Sequence, residues 1–301
     1  FGAPSAVLGV SSTSPAVGAP VAGELKISVK ASAVTTEDVR AVHGLSLTNS
    51  CVGVCGTSAS GVVTAVPSGE SGFAVNDKVF VVGSGLWTDE VVVSQSGVST
   101  VGSALSAGEI AMLPGFASAW GILHNYTTLS AGDVVVQSTG ACAVGAAITQ
   151  LGQALGLKVI SLADADLADP AALKTKLKQT GEIKLTVSGQ SGKHLSTMQN
   201  ATAANGALVT YNGVFETLHS SAAVQSPVSS MIFNNVKVCG FDLHAWTKHD
   251  PAHYKQSVAS LLSLIESKKV SLKPAKEFPQ ADVKKVIDGV AATGATAVLK
   301  H

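Results

Sequence analysis

The stretch Gly132-Asp133-Val134-Val135-Val136-Gln137-Ser138-Thr139-Gly140-Ala141-Cys142-Ala143-Val144-Gly145, continuing to Leu157, decides the fold. Val134–Gln137 is an apolar run of strand type, Gly140 opens a tight turn, and Val144–Leu155 has helical spacing that ends at Gly156. A buried strand passing through a glycine turn into a helix is the unit that cradles a dinucleotide pyrophosphate, because the helix start presents N–H groups without intrahelical partners. The middle glycines of such a turn are missing here. Glycine lets the backbone approach the phosphates, so Ala143 is a small loss and Cys142 a larger intrusion. The candidate cofactor residues are Gly140, Cys142, Ala143, Val144 and Gly145; strand-to-helix packing alone is the plainer reading of the same residues.

Strand–helix alternation continues downstream. Lys158–Ala163, Leu185–Ser188, Ala207–Tyr211 and Val236–Phe241 read as strands, with Asp169–Gln179, Lys193–Thr202 and Pro227–Phe233 as connecting helices. Upstream, Leu25–Ala31, Gly61–Val66, Lys78–Val82 and Asp89–Ser94 are short Val-rich strands between Gly, Ser and Pro turns, and Ser106–Asn125 is helical with an interruption at Pro114. After residue 243 come an amphipathic helix (Tyr254–Lys268), an extended stretch (Val270–Phe278), a helix (Ala281–Ala292) and a closing strand (Thr296–Leu299). The expected architecture is α/β: a β-barrel domain of residues 1–106 plus 243–301 and a doubly wound parallel sheet over 107–242. Only 21 residues separate Ala163 from Leu185. Since one βαβ crossover takes about 30 residues, the sheet is expected to lack one helix–strand unit. It would then expose an edge near Leu185 that a permanent partner covers.

The 301 residues are enough for two domains; 46% are hydrophobic and 13% charged. Charge is low against the usual level of about a quarter, which fits either a dense core or surfaces covered by other subunits. A net charge of zero gives nucleic acid no electrostatic footing. Residues 1–157 hold four basic and nine acidic side chains, and residues 158–301 hold sixteen and eleven. The four cysteines form no disulfide pattern, so a reducing compartment is expected. Cys51-x3-Cys55 beside His43 lacks a second pair for zinc, and in His249-x3-His253 the intervening Asp250-Pro251 reads as a helix start rather than as the protease arrangement, so no metal is expected. No apolar run reaches the roughly 18 residues of a membrane span.

Several phrases carry a family resemblance. Phe1-Gly-Ala-Pro-Ser-Ala-Val-Leu8 is similar to Tyr-Gly-x-Pro-x-x-Val-Leu, Leu208-Val-Thr-Tyr-Asn-Gly213 to Met-Val-Thr-Tyr-Gly-Gly, and Ile232-Phe-Asn-Asn-Val-Lys-Val-Cys-Gly-Phe241, continuing to Trp246, to Ile-Phe-Lys-Asp-Leu-Lys-Leu-Arg-Gly-Phe plus Trp. Together they resemble the mitochondrial trans-2-enoyl-CoA reductases, relatives of quinone oxidoreductases in the medium-chain dehydrogenase/reductase superfamily. The resemblance covers nearly the whole chain. It implies a GroES-like domain, a Rossmann-type cofactor domain, a mitochondrial location and a homodimer through the edge strand, here Val236–Phe241.

The same resemblance exposes departures. The family's Asp-Ile-Asn-x-x-x-Gly-x-Tyr phrase is matched by Asp38-Val-Arg-Ala-Val-His-Gly44-Leu-Ser46, so Ser46 falls where the reacting tyrosine would be. A serine hydroxyl is shorter and far less acidic than a phenol. Where the family places arginines for NADPH, this chain has Asp164 and Asp166. Asp164 suits the ribose hydroxyl of NAD, and both carboxylates would repel a 2′-phosphate, so NADPH is expected to be disfavoured and NAD(H) bound weakly or not at all. These departures imply a degenerate reductase serving as an accessory subunit of a larger mitochondrial assembly, for example a respiratory-chain complex. The alternative is an active NAD(P)H-dependent reductase of 2-enoyl thioesters or quinones.

Overall fold

A computed structural model of the chain describes residues 4–11, 16–46, 51, 53–69, 72–138, 142–190, 192–211, 226–273 and 275–301. The strands in chain order are β1 (Glu24–Val34), β2 (Ser58–Ala65), β3 (Lys78–Val82), β4 (Glu90–Ser94), β5 (Val98–Thr100), β6 (Val134–Gln137), β7 (Lys158–Ser161), β8 (Ile183–Ser188), β9 (Thr202–Thr210), β10 (Lys237–Gly240), β11 (Glu277–Pro279) and β12 (Ala297–Lys300). They fall into two compact units, Phe1–Ala117 with Leu243–His301, and Ser118–Asp242.

The first unit is built on a seven-stranded, mostly antiparallel sheet ordered β11-β12-β1-β2-β3-β5, with β4 also pairing β1. β1 organises it. Its first half, Glu24–Ser28, pairs with β4, its second half, Ala31–Val34, pairs with β12, and β2 takes the other edge. Leu25, Ile27 and Val29 alternate along β1 and bury one face against Ala59, Val63, Val79, Val81, Leu86, Val93 and Val98. The alternation is the two-residue period of a strand with one face in the core. The Val270–Phe278 stretch, expected to be extended, pairs as a strand only at its end, in β11. The expected helix 106–125 forms as two, Ala107–Ala111 and Leu113–His124, divided beside Pro114.

The second unit is a five-stranded parallel sheet in the order β10-β9-β8-β6-β7. Among the described residues β7 has no strand beyond it, which is the expected shortening. The expected position of the open edge is corrected, however: Leu185 is fully buried in β8, between β6 and β9, and the open edge is β7. Parallel strands covered on both faces read as continuous apolar runs, as in Val134, Val136, Ile183 and Leu208, which pack with Leu173, Leu177, Leu195 and Met198. After β7 the chain does not loop. Asp164–Ala168 is a short helix, and Pro170–Lys178 follows with Asp169 capping its first N–H groups.

The helix Ala143–Ala154 returns beside β7, and the close approach is made at Gly152, where an added Cβ would meet Val159 Cγ2. Val159 sits on the edge strand and can give way only in part. Gly152→Ala should therefore lower the unfolding free energy by about 1–2 kcal/mol, seen as a lower urea midpoint at unchanged slope.

Candidate functional site

In the parallel-sheet unit the candidate residues gather beyond the carboxyl ends of the strands, where ligands of open α/β sheets bind. Of the sequence candidates, Gly140 lies outside the described residues, while Cys142, Ala143, Val144 and Gly145 form the start of the helix Ala143–Ala154. Cys142 is the N-cap: its Sγ accepts the Gly145 N–H at 3.3 Å. That leaves the N–H groups of Ala143 and Val144, which have no acceptor within the helix, at its positive end. Gln137, the last residue of β6, fastens this helix start to the sheet. Its Nε2 lies 3.0 Å from Gly145 O, 2.9 Å from Thr149 Oγ1 and 2.9 Å from Ser161 Oγ. Gln137 Oε1 is buried without a partner among the described residues.

Other groups at this end of the sheet have no role in the sequence reading. The Tyr211 phenol, one residue past β9, sits 3.0 Å from Cys142 Sγ. Ser138 Oγ is 2.8 Å from Ser188 Oγ, and Ser188 Oγ is 3.3 Å from His194 Nε2, a buried line across the ends of β6 and β8. The signal that could have found them was their position one residue beyond, or at the last residue of, an apolar run. Asp164 accepts from Gln190 Nε2 at 3.2 Å. Asp166 accepts the Ala163 N–H at 2.8 Å and pairs with Lys176 at 2.7 Å, and these hold its carboxyl below the usual range. Both carboxylates are thus engaged by their own unit. The Ala143 and Val144 N–H groups, at the positive end of the helix, suit the phosphates of a dinucleotide.

The other unit carries Ser46 two residues past Gly44, the left-handed C-cap of the helix Thr36–His43. The Ser46 hydroxyl donates to Glu37 Oε1 at 2.6 Å, and Glu37 also pairs with Arg40. Next to it, Asp38 is fully buried. Its Oδ2 accepts from Thr35 N–H at 2.7 Å and Thr35 Oγ1 at 2.8 Å, and its Oδ1 accepts the Thr57 N–H at 2.8 Å. Burial pushes its pKa up to about 6 against the opposing pull of these donors. The Thr57 carbonyl in turn lies 2.8 Å from His244 Nε2. The cysteine expectation is corrected: Cys51 and Cys55 are joined as a disulfide, while Cys142 and Cys239 are free thiols. Spacing alone could not show it, since contact between two cysteines four residues apart depends on the local backbone. Among the described residues no cluster of three or more metal-ligating side chains occurs, and no helix is long and apolar enough to cross a membrane.

A mostly antiparallel sheet in one unit and a parallel sheet in the other match the architecture of medium-chain dehydrogenase/reductase enoyl reductase structures. No family model matches the chain. It is 26% identical to the mitochondrial enoyl-acyl-carrier-protein reductase of Xenopus tropicalis, over 89% of this chain and 84% of that protein. Among solved structures, the apo JamJ enoyl reductase superposes with TM-score 0.80 at 19% identity, covering 94% of this chain and 92% of that one. The Etr1p/NADP/crotonyl-CoA complex superposes with TM-score 0.75 at 18% identity over the same shares. In sequence and in fold the chain is similar to the enoyl reductase-like branch of that superfamily. The expectation that NADPH is disfavoured, with NAD(H) weak or absent, is overturned: the solved complex holds NADP, and Asp164 and Asp166 are occupied by Gln190, Ala163 and Lys176.

Proposed function

We propose that the chain is an NADPH-dependent reductase of 2-enoyl thioesters, located with its relatives in the mitochondrion. The observation that carries this reading is similarity along 89% of the chain to a mitochondrial enoyl reductase. When bound, NADPH would supply the hydride. The Ala143 and Val144 N–H groups would hold its pyrophosphate, Cys142 would keep the helix start capped, and Gln137 would lock that start onto β6 and β7. Two phenols reach this end of the sheet, Tyr211 beside Cys142 and Tyr126, which donates to Gly240 O at the end of β10; Tyr254 is buried in the other unit. The test is NADPH oxidation by the purified chain with crotonyl-CoA. Steady turnover supports the reading, and none at millimolar substrate overturns it.

A second reading, a non-catalytic subunit of a larger assembly, is favoured by Ser46, whose hydroxyl is donated to Glu37. It requires an inactive chain that co-purifies stoichiometrically with other subunits. We further propose that a second copy pairs along β10. This edge strand and the preceding helix Val228–Asn234 expose Ile232 (69%), Phe233 (83%) and Val238 (40%), and identical edges can pair across a twofold axis. Phe233→Asp should convert dimer to monomer in light scattering. A wild-type chain that is monomeric at tens of micromolar would rule the pairing out.

A further inference from the structure

We propose that Cys51 and Cys55 are a reversible thiol–disulfide exchange site whose co-reactant is a glutathione-type thiol. The disulfide joins residues only four apart, with Cα atoms separated by 4.8 Å. A loop this short removes little freedom from the unfolded chain, so as a staple the bond contributes little. Its two ends are unlike. Cys55 is buried and rigidly held: its carbonyl accepts the Trp87 N–H at 2.8 Å, and the Gly56 carbonyl accepts the Leu86 N–H at 3.1 Å. Gly56 has φ +103°, and a Cβ there would strike Trp87, so no other residue fits. Thr57 is pinned by Asp38 on its N–H and by His244 on its carbonyl. Cys51 is less buried than Cys55, and the exchange is accordingly assigned to begin at its sulfur.

This asymmetry sets the direction of exchange. A thiolate RS⁻ attacks Cys51 Sγ, the Cys51–Cys55 bond breaks, and Cys55 leaves as a thiolate that takes up a proton. A second RS⁻ then attacks the mixed disulfide and releases Cys51 as a thiol together with RSSR. Two thiols give up two electrons, and two protein thiols are formed. The remaining cysteines, Cys142 and Cys239, lie in the other unit and are free, so neither competes for this bond. Where glutathione keeps thiols reduced, a disulfide is characteristically transient, catalytic or sensing. Cys51 lies five residues past Ser46. Oxidation fastens Cys51 to the Cys55–Thr57 segment held by Asp38 and His244, and reduction releases it.

The test uses the full chain equilibrated in glutathione buffers from oxidised to reduced excess, quenched by alkylation and weighed. Two reactive thiols are expected at the oxidised end, Cys142 and Cys239, and all four at the reduced end. Amide hydrogen exchange in the peptide spanning Ser46–Cys55 should quicken at least tenfold on reduction, and Cys55→Ser should show the fast rate in both buffers. Four reactive thiols in excess oxidised glutathione, a pair that survives excess reduced glutathione, or an exchange rate indifferent to the buffer would each overturn the proposal. None of these readouts depends on enoyl reductase activity.

Discussion

Cys142→Asp should leave the chain folded and weaken NADPH binding about 100-fold or more. Aspartate is a better N-cap than cysteine and still accepts the Gly145 N–H, so the unfolding temperature should hold or rise. The carboxylate would stand beside the helix N–H groups proposed to hold the pyrophosphate. Two like charges about 5 Å apart at an effective dielectric near 20 repel by about 3 kcal/mol, which is more than a factor of 100 in affinity. Cys142→Ser keeps an uncharged cap and should bind NADPH within a few-fold of wild type. Fluorescence titration of the nicotinamide decides it. Equal affinity of the Asp and Ser variants would move the cofactor away from this helix.

Asp38 should make the chain less stable as pH rises from about 4 to about 6. Its folded pKa is raised from 3.8 to about 6 by burial, so the native state holds the proton more tightly than the unfolded state. Below about 4 the group is protonated in both states and nothing is lost. Above about 6 it is charged in both, and the cost of burying the charge, about 3 kcal/mol for a shift of this size, is complete. Asp38→Asn removes the titration but turns an amide donor toward the Thr35 or Thr57 N–H. Its urea stability should be lower than wild type at pH 4 and should approach or pass wild type by pH 7. Because other groups titrate equally in both proteins, the difference between the two curves isolates Asp38. Parallel curves from pH 4 to pH 7 would show that Asp38 is already ionised at the acid end.

The strand Val134–Gln137 and the helix after it were legible because their signals are local: an apolar run, then the 3.6-residue period of a helix. The same holds for the shortened sheet, which follows from counting residues between Ala163 and Leu185. The location of its open edge was not legible. Which strand ends up outermost depends on pairing order, and the chain passes from β7 through two helices to β8, on the far side of β6. The cofactor preference failed for a related reason. Asp164 and Asp166 read as free carboxylates in sequence, yet one is taken by Gln190 from the loop after β8 and the other by Lys176 one helix later.

By itself the sequence determined the α/β class, the two kinds of sheet, the helix that follows β6 and the serine at position 46. All of these rest on residue identity and on periods of a few positions. The tertiary structure decided the rest: the three-way pairing of β1, the approach of Tyr211 to Cys142 from 69 residues away, the burial that raises Asp38 and the meeting of Cys51 with Cys55. Each is a contact or a dielectric environment. The first three require distant segments to be brought together, and the last a specific turn of the backbone, which no local periodicity encodes.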